Sequence, residues 1–299
     1  MLVDKLARFI RKPAEQKRVT ARYFARKALG SLPYAPVPTK LPVAPGENVR
    51  FWWSYVPMSE NPDRPFLNYP GNDCGELRFL WKFLRPGMVF FDIGAFHGIF
   101  SLLAGKKLSS GGQIVAFEPS KRERRRFELH MRLNGVRDVR LEPYAVAEKI
   151  DTRNFFTVVS GFTSMNSLRK PHIDTPLRET SVDTVSLDGY LANRRIAQID
   201  LVKMDVEGGE LEAFRGANRM LETIRPVLIC EVLDWVTRPW GYPAREIVQT
   251  LGGQDYDWFD FREDGTISPH RRRDEYPEIQ NYLAVPREKL QLVERWRRA

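Results

Sequence analysis

Cysteine is scarce in this chain, and long apolar runs are missing. Only Cys74 and Cys230 occur among the 299 residues, and Cys230 lies in an apolar stretch, which excludes a disulfide framework and favours a reducing compartment. No apolar run approaches the roughly 20 residues that cross a bilayer, and the N-terminus lacks the apolar core of a secretion signal. We therefore expect a cytoplasmic protein without a membrane-spanning helix.

Net charge is almost absent from the body of the chain, although the whole chain carries +9. Residues 1–30 hold nine Lys and Arg against two acids, and residues 286–299 hold five against two. The intervening residues 31–285 therefore carry −1. Because the excess of positive charge is confined to the tails, we expect no nucleic-acid partner at the functional site.

Composition divides the chain into four parts. Residues 1–30 place apolar residues at helical spacing among basic ones, which suits either peripheral contact with an anionic membrane, at its inner face, or packing on the domain or a partner. Residues 31–74 are rich in proline and predict an extended segment that wraps the domain without regular elements. Residues 75–285 alternate apolar runs with amphipathic stretches and predict the main α/β domain, and residues 286–299 predict a basic C-terminal helix.

The first apolar run of the main domain ends in a glycine turn. Residues 89–93 predict a buried strand that carries Asp92 near its carboxyl end, and Gly94 and Gly98 bracket the turn into a helix. Glycine there lets the backbone approach a ligand closely. The turn has no G-x-G-x-x-G spacing, which disfavours a dinucleotide and favours an adenosine ligand without a diphosphate, of which S-adenosylmethionine is the common one.

Glu118 ends the second predicted strand, 26 positions after Asp92. That distance is close to the one βαβ unit that separates a glycine turn from its ribose-binding carboxylate. The alternative is an acid that only favours the N-terminus of the following helix. Residues 144–147 predict a loop of small residues that suits an adenine ring. Residues 154–188 predict a β excursion in which strands at 155–159 and 182–187 flank a polar loop.

A second group of charged residues follows a later strand. If that strand extends far enough, alternation places Lys203, Asp205 and Glu207 on one side. Because isolated buried charge is costly, we expect these groups to form a site, the alternative being a self-neutralising cluster that positions the next helix. The neighbouring strand ends in another acid, Glu231.

Taken in order, these segments resemble the FkbM family of S-adenosylmethionine-dependent methyltransferases over about residues 75–285. The segments that carry the resemblance are Phe91-Asp92-Ile93-Gly94-Ala95, Phe117-Glu118-Pro119, Val185-Ser186-Leu187-Asp188, Ile199 to Gly208, Phe214-Arg215-Gly216-Ala217 and Glu231. The resemblance implies a class I methyltransferase (Rossmann-like) fold, a doubly wound sheet of seven strands with the last antiparallel. It also implies, in most members, O-methylation, often of a sugar in a glycolipid, polysaccharide or glycosylated metabolite.

The resemblance also assigns cofactor contacts. It implies that the methionine and ribose parts of the cofactor lie against the first turn, that Glu118 binds the ribose hydroxyls, and that the adenine lies against the small-residue segment. At position 97 this chain has His where relatives commonly carry Asn. The expected cofactor-binding residues are Asp92, Gly94, Ala95, His97, Gly98, Glu118, Pro119, Ala145, Val146 and Asp205.

For catalysis we expect Asp205 to act as base or as orienter of the acceptor hydroxyl. Lys203 would hold the carboxylates, Glu207 would be a second acceptor, and Glu231 would complete an acidic pocket. Asp205, Glu207 and Glu231 also suit Mg²⁺, a hard cation that prefers carboxylate oxygens. The residues leave that version open, although we expect no metal.

Two other functions remain open from the sequence. One is a nucleic-acid methyltransferase, which the −1 body disfavours. The other is a non-catalytic binding module on the same fold, which would not need Asp92, Glu118, Asp205 and Glu207 together. The sequence does not indicate an oligomeric state.

Overall fold

The described part of the chain begins with a β-hairpin. The computed structural model describes residues 75–108, 111–159, 164–278 and 280–298, together with the backbone of the two strands β1 (Val37–Ala44) and β2 (Glu47–Trp53). These strands pair antiparallel, so the Pro-rich segment contains regular structure where we expected none. The basic segment 1–30, with its predicted membrane contact, lies outside the described residues.

The other elements alternate strands with helices. In chain order they are α1 (Gly75–Phe83), β3 (Val89–Ile93), α2 (Ile99–Leu108), β4 (Gln113–Phe117), α3 (Lys121–Leu133), β5 (Val139–Glu142), β6 (Ala145–Val146), β7 (Asp151–Val158), β8 (Leu177–Val185), α4 (Leu187–Arg194), β9 (Leu201–Met204), α5 (Glu210–Arg215), β10 (Val227–Glu231), α6 (Asp234–Thr237), α7 (Arg245–Gly252), β11 (Tyr256–Phe261), β12 (Ile267–Pro269) and β13 (Asn281–Pro286). Single turns of π-helix (Met220–Ile224) and 3₁₀-helix (Arg238–Trp240) follow α5 and α6. Serine begins two of the helices: Ser120 Oγ accepts the Glu123 N–H at α3, and Ser186 Oγ accepts the Gly189 N–H at α4.

The central sheet has the strand order β12-β11-β13-β10-β9-β3-β4-β5. The strands from β10 to β5 are all parallel, and β13 runs antiparallel to both β10 and β11. The predicted doubly wound sheet with an antiparallel last strand is therefore confirmed. The predicted count of seven is not, because β12 adds a short antiparallel strand on the edge of β11 and brings the described sheet to eight.

Helices cover both faces of this sheet. Along β3 the side chains alternate, so that Phe90 packs into the core formed with α1, α2 and α3, whereas Phe91 and Ile93 pack into the core formed with α4, α5 and α7. A strand that buries both faces needs an apolar residue at nearly every position. This explains why β3 reads as a continuous apolar run broken only by Asp92.

A second sheet lies beyond the carboxyl end of β5. It has the order β6-β8-β7, and β7 and β8 form the antiparallel pair that residues 155–159 and 182–187 predict. Ala145–Val146 pairs in parallel with Thr184 and Val185. The small-residue segment is therefore a short strand where the sequence predicts a loop.

The chain after β13 forms 3₁₀ turns over Arg287–Leu292 and Glu294–Trp296 in place of the single C-terminal helix that we expected. Trp296 packs into the core beside Phe79 and Phe83. Among the described residues, no helix combines the length and apolarity that a membrane span requires.

Candidate active site

Hydrogen bonds to neighbouring strands hold the turn after β3. The backbone N–H groups of Gly94 and Ala95 both donate to the carbonyl oxygen of Phe117, at 3.0 and 2.9 Å. Gly94 has φ +76°, and a Cβ there would collide with the Asp205 carbonyl group. Gly98 has φ +81°, and a Cβ there would meet the Phe127 ring. The packing of the protein itself thus requires glycine at both positions.

Asp92 is buried at the carboxyl end of β3, beside the first turn of α2. Its Oδ2 accepts hydrogen bonds from the Ser101 hydroxyl at 2.6 Å and the Ser101 N–H at 3.0 Å. Burial raises the pKa of Asp92 to about 6, although the Ser101 hydrogen bonds and the Lys203 charge oppose that rise. Asp92 thus lies at the cleft with one oxygen already fixed by α2.

Glu118 follows β4 and is held by two backbone donors. Its Oε2 accepts the Phe96 N–H at 2.9 Å, and its Oε1 accepts the Ser120 N–H at 2.8 Å. Burial raises the pKa of Glu118 to about 8. Because a carboxylate oxygen has two acceptor positions, each oxygen retains capacity for a further donor such as a hydroxyl group.

Lys203 and Asp205 form a buried ion pair. Lys203 is only 2 % exposed, and its Nζ lies 2.7 Å from Asp205 Oδ2 and 5.1 Å from the centre of the Phe100 ring. Burial alone would lower the pKa of Lys203, but the charges of Asp205, Glu231 and Asp92 outweigh it and raise that pKa. Lys203 therefore stays protonated and holds Asp205 in place.

Glu207 lies beyond the end of β9, because that strand stops at Met204. The predicted alternation from Lys203 through Glu207 is therefore wrong, and a turn takes its place. Glu207 has the left-handed φ of 55°, and its carbonyl oxygen accepts from Ser167 Oγ at 3.0 Å and Trp240 Nε1 at 3.1 Å. Burial, with the charges of Asp205 and Glu210, raises the pKa of its carboxyl well above the ordinary value.

An open cleft of about 820 Å³ joins these groups at the carboxyl ends of β3, β4 and β9. The sequence-predicted residues that line it are Asp92, Gly94, Ala95, Glu118, Pro119, Ala145, Val146, Lys203, Asp205 and Glu207. Tyr144, from the segment predicted to suit the adenine ring, lines it as well. Sequence reasoning missed Phe96, Phe100, Phe117, Phe155, Ser164, Asn166, Ser167, Leu168, Val206, Gly209 and Trp240, which also line it. Phe155, Asn166 and Ser167 fall in the predicted β excursion, so the polar loop of that excursion was the available signal.

Three predicted residues do not reach the cleft. The His97 ring turns to α3, where its Nε2 lies 2.6 Å from Glu123 Oε2. Burial lowers the pKa of His97 to about 4, so the ring is neutral at pH 7 and donates to that carboxylate. Gly98 packs under α3, and Glu231, the last residue of β10, does not line the cleft but is near enough to raise the pKa of Lys203.

A smaller cavity of about 260 Å³ adjoins the cleft across Ser167, Glu207 and Trp240, which line both. Arg169 and His172 line its other side together with Trp235, which is 40 % exposed. The Arg169 guanidinium lies 5.6 Å from the centre of the Trp240 ring. These residues come from the β7–β8 connection and from α6 with its following 3₁₀ turn.

A family model described as "Methyltransferase FkbM domain" matches residues 92–261, which is more than half of the chain. The match spans the elements from β3 to β11 and includes every acid of the cleft. No curated protein matches the chain significantly.

Solved methyltransferase structures give weaker likenesses. Methyltransferase FkbM from Methylobacillus flagellatus aligns over 67 % of this chain and 44 % of its own at 15 % identity, with a TM-score of 0.43. The present chain thus spans less than half of that protein. A Streptococcus mutans protein in complex with SAH aligns over 69 % of this chain and 93 % of its own at 9 % identity (TM-score 0.39). A SAM-dependent O-methyltransferase from Thermotoga maritima aligns over 71 % and 64 % at 10 % identity (TM-score 0.36).

Proposed function

This chain belongs to the FkbM methyltransferase family, and on that premise we propose that it transfers a methyl group from S-adenosylmethionine to a hydroxyl of a saccharide-containing acceptor. The observation that carries the proposal is the cleft itself. Its lining combines acids from the carboxyl ends of the parallel strands β3, β4 and β9 with small and aromatic residues. Ligands of open α/β sheets bind at that edge of the sheet.

The residues of the cleft fit S-adenosylmethionine in two respects. Glu118 offers acceptor positions for the two ribose hydroxyls, and its position is fixed by the Phe96 and Ser120 N–H groups. Tyr144 and Val146 supply an apolar surface of the kind that an adenine ring needs. The cleft lies beside the turn after β3, which would face the remainder of the cofactor.

When bound, S-adenosylmethionine supplies a methyl group that its sulfonium centre already makes electrophilic. The chain must therefore align the acceptor oxygen and take up its proton. Alignment is worth up to roughly 7–11 kcal/mol of the barrier, whereas a general base contributes about 10²–10⁴-fold in rate. We expect positioning to supply the larger part.

Asp205 is the best-placed base. It lines the cleft, and Lys203 holds one of its oxygens at 2.7 Å. The other carboxylate oxygen can therefore accept the proton of the acceptor hydroxyl while the acceptor oxygen gains the methyl group. Burial and the charges of Asp205 and Glu210 raise the pKa of the Glu207 carboxyl and so favour its protonated form. Glu207 is therefore better suited to donate a hydrogen bond to the acceptor than to act as base.

The smaller cavity supports a saccharide acceptor. Trp235 and Trp240 provide indole faces against which the C–H face of a sugar ring can pack, while the Trp235 N–H and His172 offer polar contacts. The cavity shares Glu207 with the cleft. A sugar bound there would therefore lie next to the proposed transfer site.

Cofactor binding is tested first, by calorimetry with S-adenosylmethionine and S-adenosylhomocysteine. We expect one site per chain, and a loss of about 10–100-fold in affinity for Glu118→Gln, since Gln replaces one acceptor oxygen by an NH₂ group and a buried hydrogen-bonding group left unpaired costs about 1–3 kcal/mol. Glu128→Gln, at an exposed position of α3, should bind like the wild type. An absence of both heat and thermal shift with either ligand would leave only a binding module.

The acceptor is tested by transfer of a labelled methyl group to a panel of glycolipids, polysaccharides and RNA. We expect base-stable label in a saccharide fraction, as an ether requires, and its loss in Asp205→Asn. Label that enters RNA alone would refute the saccharide assignment while leaving the methyltransferase in place.

A further inference from the structure

Three carboxylates converge beneath the ion pair of Lys203. Asp205 follows β9, Glu231 ends the adjacent strand β10, and Glu210 is the first residue of α5. One oxygen from each of the three acids lies within 4.8 Å of the others. Neighbouring parallel strands and the helix after one of them thus bring together acids that are far apart in the chain.

Two of these acids have an oxygen without a partner. Glu210 is fully buried and Glu231 is 92 % buried, yet Oε2 of each has no hydrogen-bond partner among the described residues. The other oxygen of Glu210, Oε1, accepts the Val206 N–H at 2.9 Å. Because buried polar atoms are almost always hydrogen-bonded or coordinated, two unpartnered oxygens in one cluster point to a bound ligand.

The surrounding charge does not balance these acids. Lys203 is the nearby cation, and its Nζ contacts Asp205 Oδ2 on the side of the cleft. Glu207 adds a fourth carboxyl to the neighbourhood. The Tyr242 hydroxyl donates to the Gly208 carbonyl oxygen at 2.6 Å. One positive charge therefore faces four carboxyl groups.

We propose that Asp205, Glu210 and Glu231 bind one divalent cation of the oxygen-preferring kind, such as Mg²⁺, Mn²⁺ or Ca²⁺. Carboxylate oxygens are the ligands that these hard cations take. A carboxylate offers about four lone-pair positions, so Asp205 can contribute one to the cation and one to Lys203 and keep another for the acceptor proton. The cation would thus fix the residue proposed as base. This ligand set differs from the sequence expectation, because Glu210 takes the place of Glu207.

The competing state is a pair of protonated carboxyls. Burial raises the pKa of Glu210 to about 7, and burial likewise raises the pKa of Glu231 well above its ordinary value. A cation must displace those protons, so its affinity should increase with pH.

The test uses the full chain, stripped with EDTA and dialysed, and titrated with MnCl₂ by calorimetry and by electron paramagnetic resonance of free Mn²⁺. We expect one ion per chain, with a Kd of about 0.1 mM or tighter, and competition by MgCl₂ or CaCl₂. Glu210→Gln and Glu231→Gln should each weaken binding at least tenfold. Glu222→Gln, exposed on the next helical turn, should not change it.

The Gln variants keep the size of the side chains, and circular dichroism with S-adenosylhomocysteine titration checks that they fold. Absence of Mn²⁺ binding by the wild type, or equal binding by the wild type and folded Gln variants, would overturn the cation site. This outcome is distinguishable from failure of the proposed function, because S-adenosylhomocysteine binding is measured on the same EDTA-treated protein.

Discussion

Replacing Lys203 by Met removes the cation of a buried ion pair and leaves its partners in place. Lys203 is 2 % exposed and lies 2.7 Å from Asp205, with Asp92 and Glu231 near enough to affect its pKa. Removing one partner of a fully buried pair costs about 3–5 kcal/mol because the other charge stays buried, and the 29 % exposure of Asp205 reduces that cost. A domain is stable by only about 5–15 kcal/mol in total, so we expect Lys203→Met to lose a large part of its free energy of unfolding.

The loss should depend on pH in a definite direction. Lys203 lowers the pKa of Asp92, which is about 6 in the intact protein, so removing Lys203 raises it further. The folded variant then holds protons that the unfolded chain releases, and its stability falls as pH rises. The deficit relative to the wild type should therefore be smallest near pH 5 and grow through pH 8.

Urea unfolding followed by circular dichroism measures this deficit at half-unit steps from pH 5 to 8.5, with EDTA present to exclude cations. Lys149→Met is the matched control, because Lys149 is 81 % exposed and lies 3.8 Å from Glu148. Exposed pairs of that kind contribute less than about 1 kcal/mol. A Lys203→Met deficit below 1 kcal/mol, or one that does not change with pH, would refute this account.

Two further predictions concern groups near the turn after β3. Gly94→Ala should destabilise the fold by at least about 2 kcal/mol more than Gly87→Ala in urea unfolding, because both have positive φ but only Gly94 adds a collision with Asp205; equal losses would contradict that reading. Burial alone would raise the pKa of Glu123, but His97 and the neighbouring arginines outweigh burial and lower that pKa to about 2. The stability that the ionised Glu123 contributes is therefore present above about pH 4.5 and is lost as pH falls toward 2. Glu123→Gln should remove of order 3 kcal/mol of that acid-dependent stability, and an unchanged difference between the wild type and the variant from pH 6 to pH 3 would argue against the paired carboxylate.

Local pattern determined much of the fold. The apolar runs at β3, β4, β9 and β10 are dense enough to predict buried parallel strands, because a strand covered on both faces has few positions for polar residues. Parallel strands bring their carboxyl ends to one edge, so the acids at those ends, among them Asp92, Glu118 and Asp205, are predictable as lining one cleft. The structure places all three there.

Side-chain direction depended on contacts that only the folded chain makes. His97 and Gly98 share the turn with Gly94, yet α3 packs over them and takes the His97 ring to Glu123. Glu231 lies close to Asp205, and α5 adds Glu210 from a different part of the chain.

The sequence by itself therefore determined the strands, the glycine turn and the acids at the strand ends, because these follow from periodicity within a few residues. The tertiary structure alone decided which of those side chains face the cleft and which share the buried cluster. Both depend on distances between residues such as Asp205, which follows β9, and Glu231, which ends the adjacent strand β10. No local sequence pattern relates two residues so far apart in the chain.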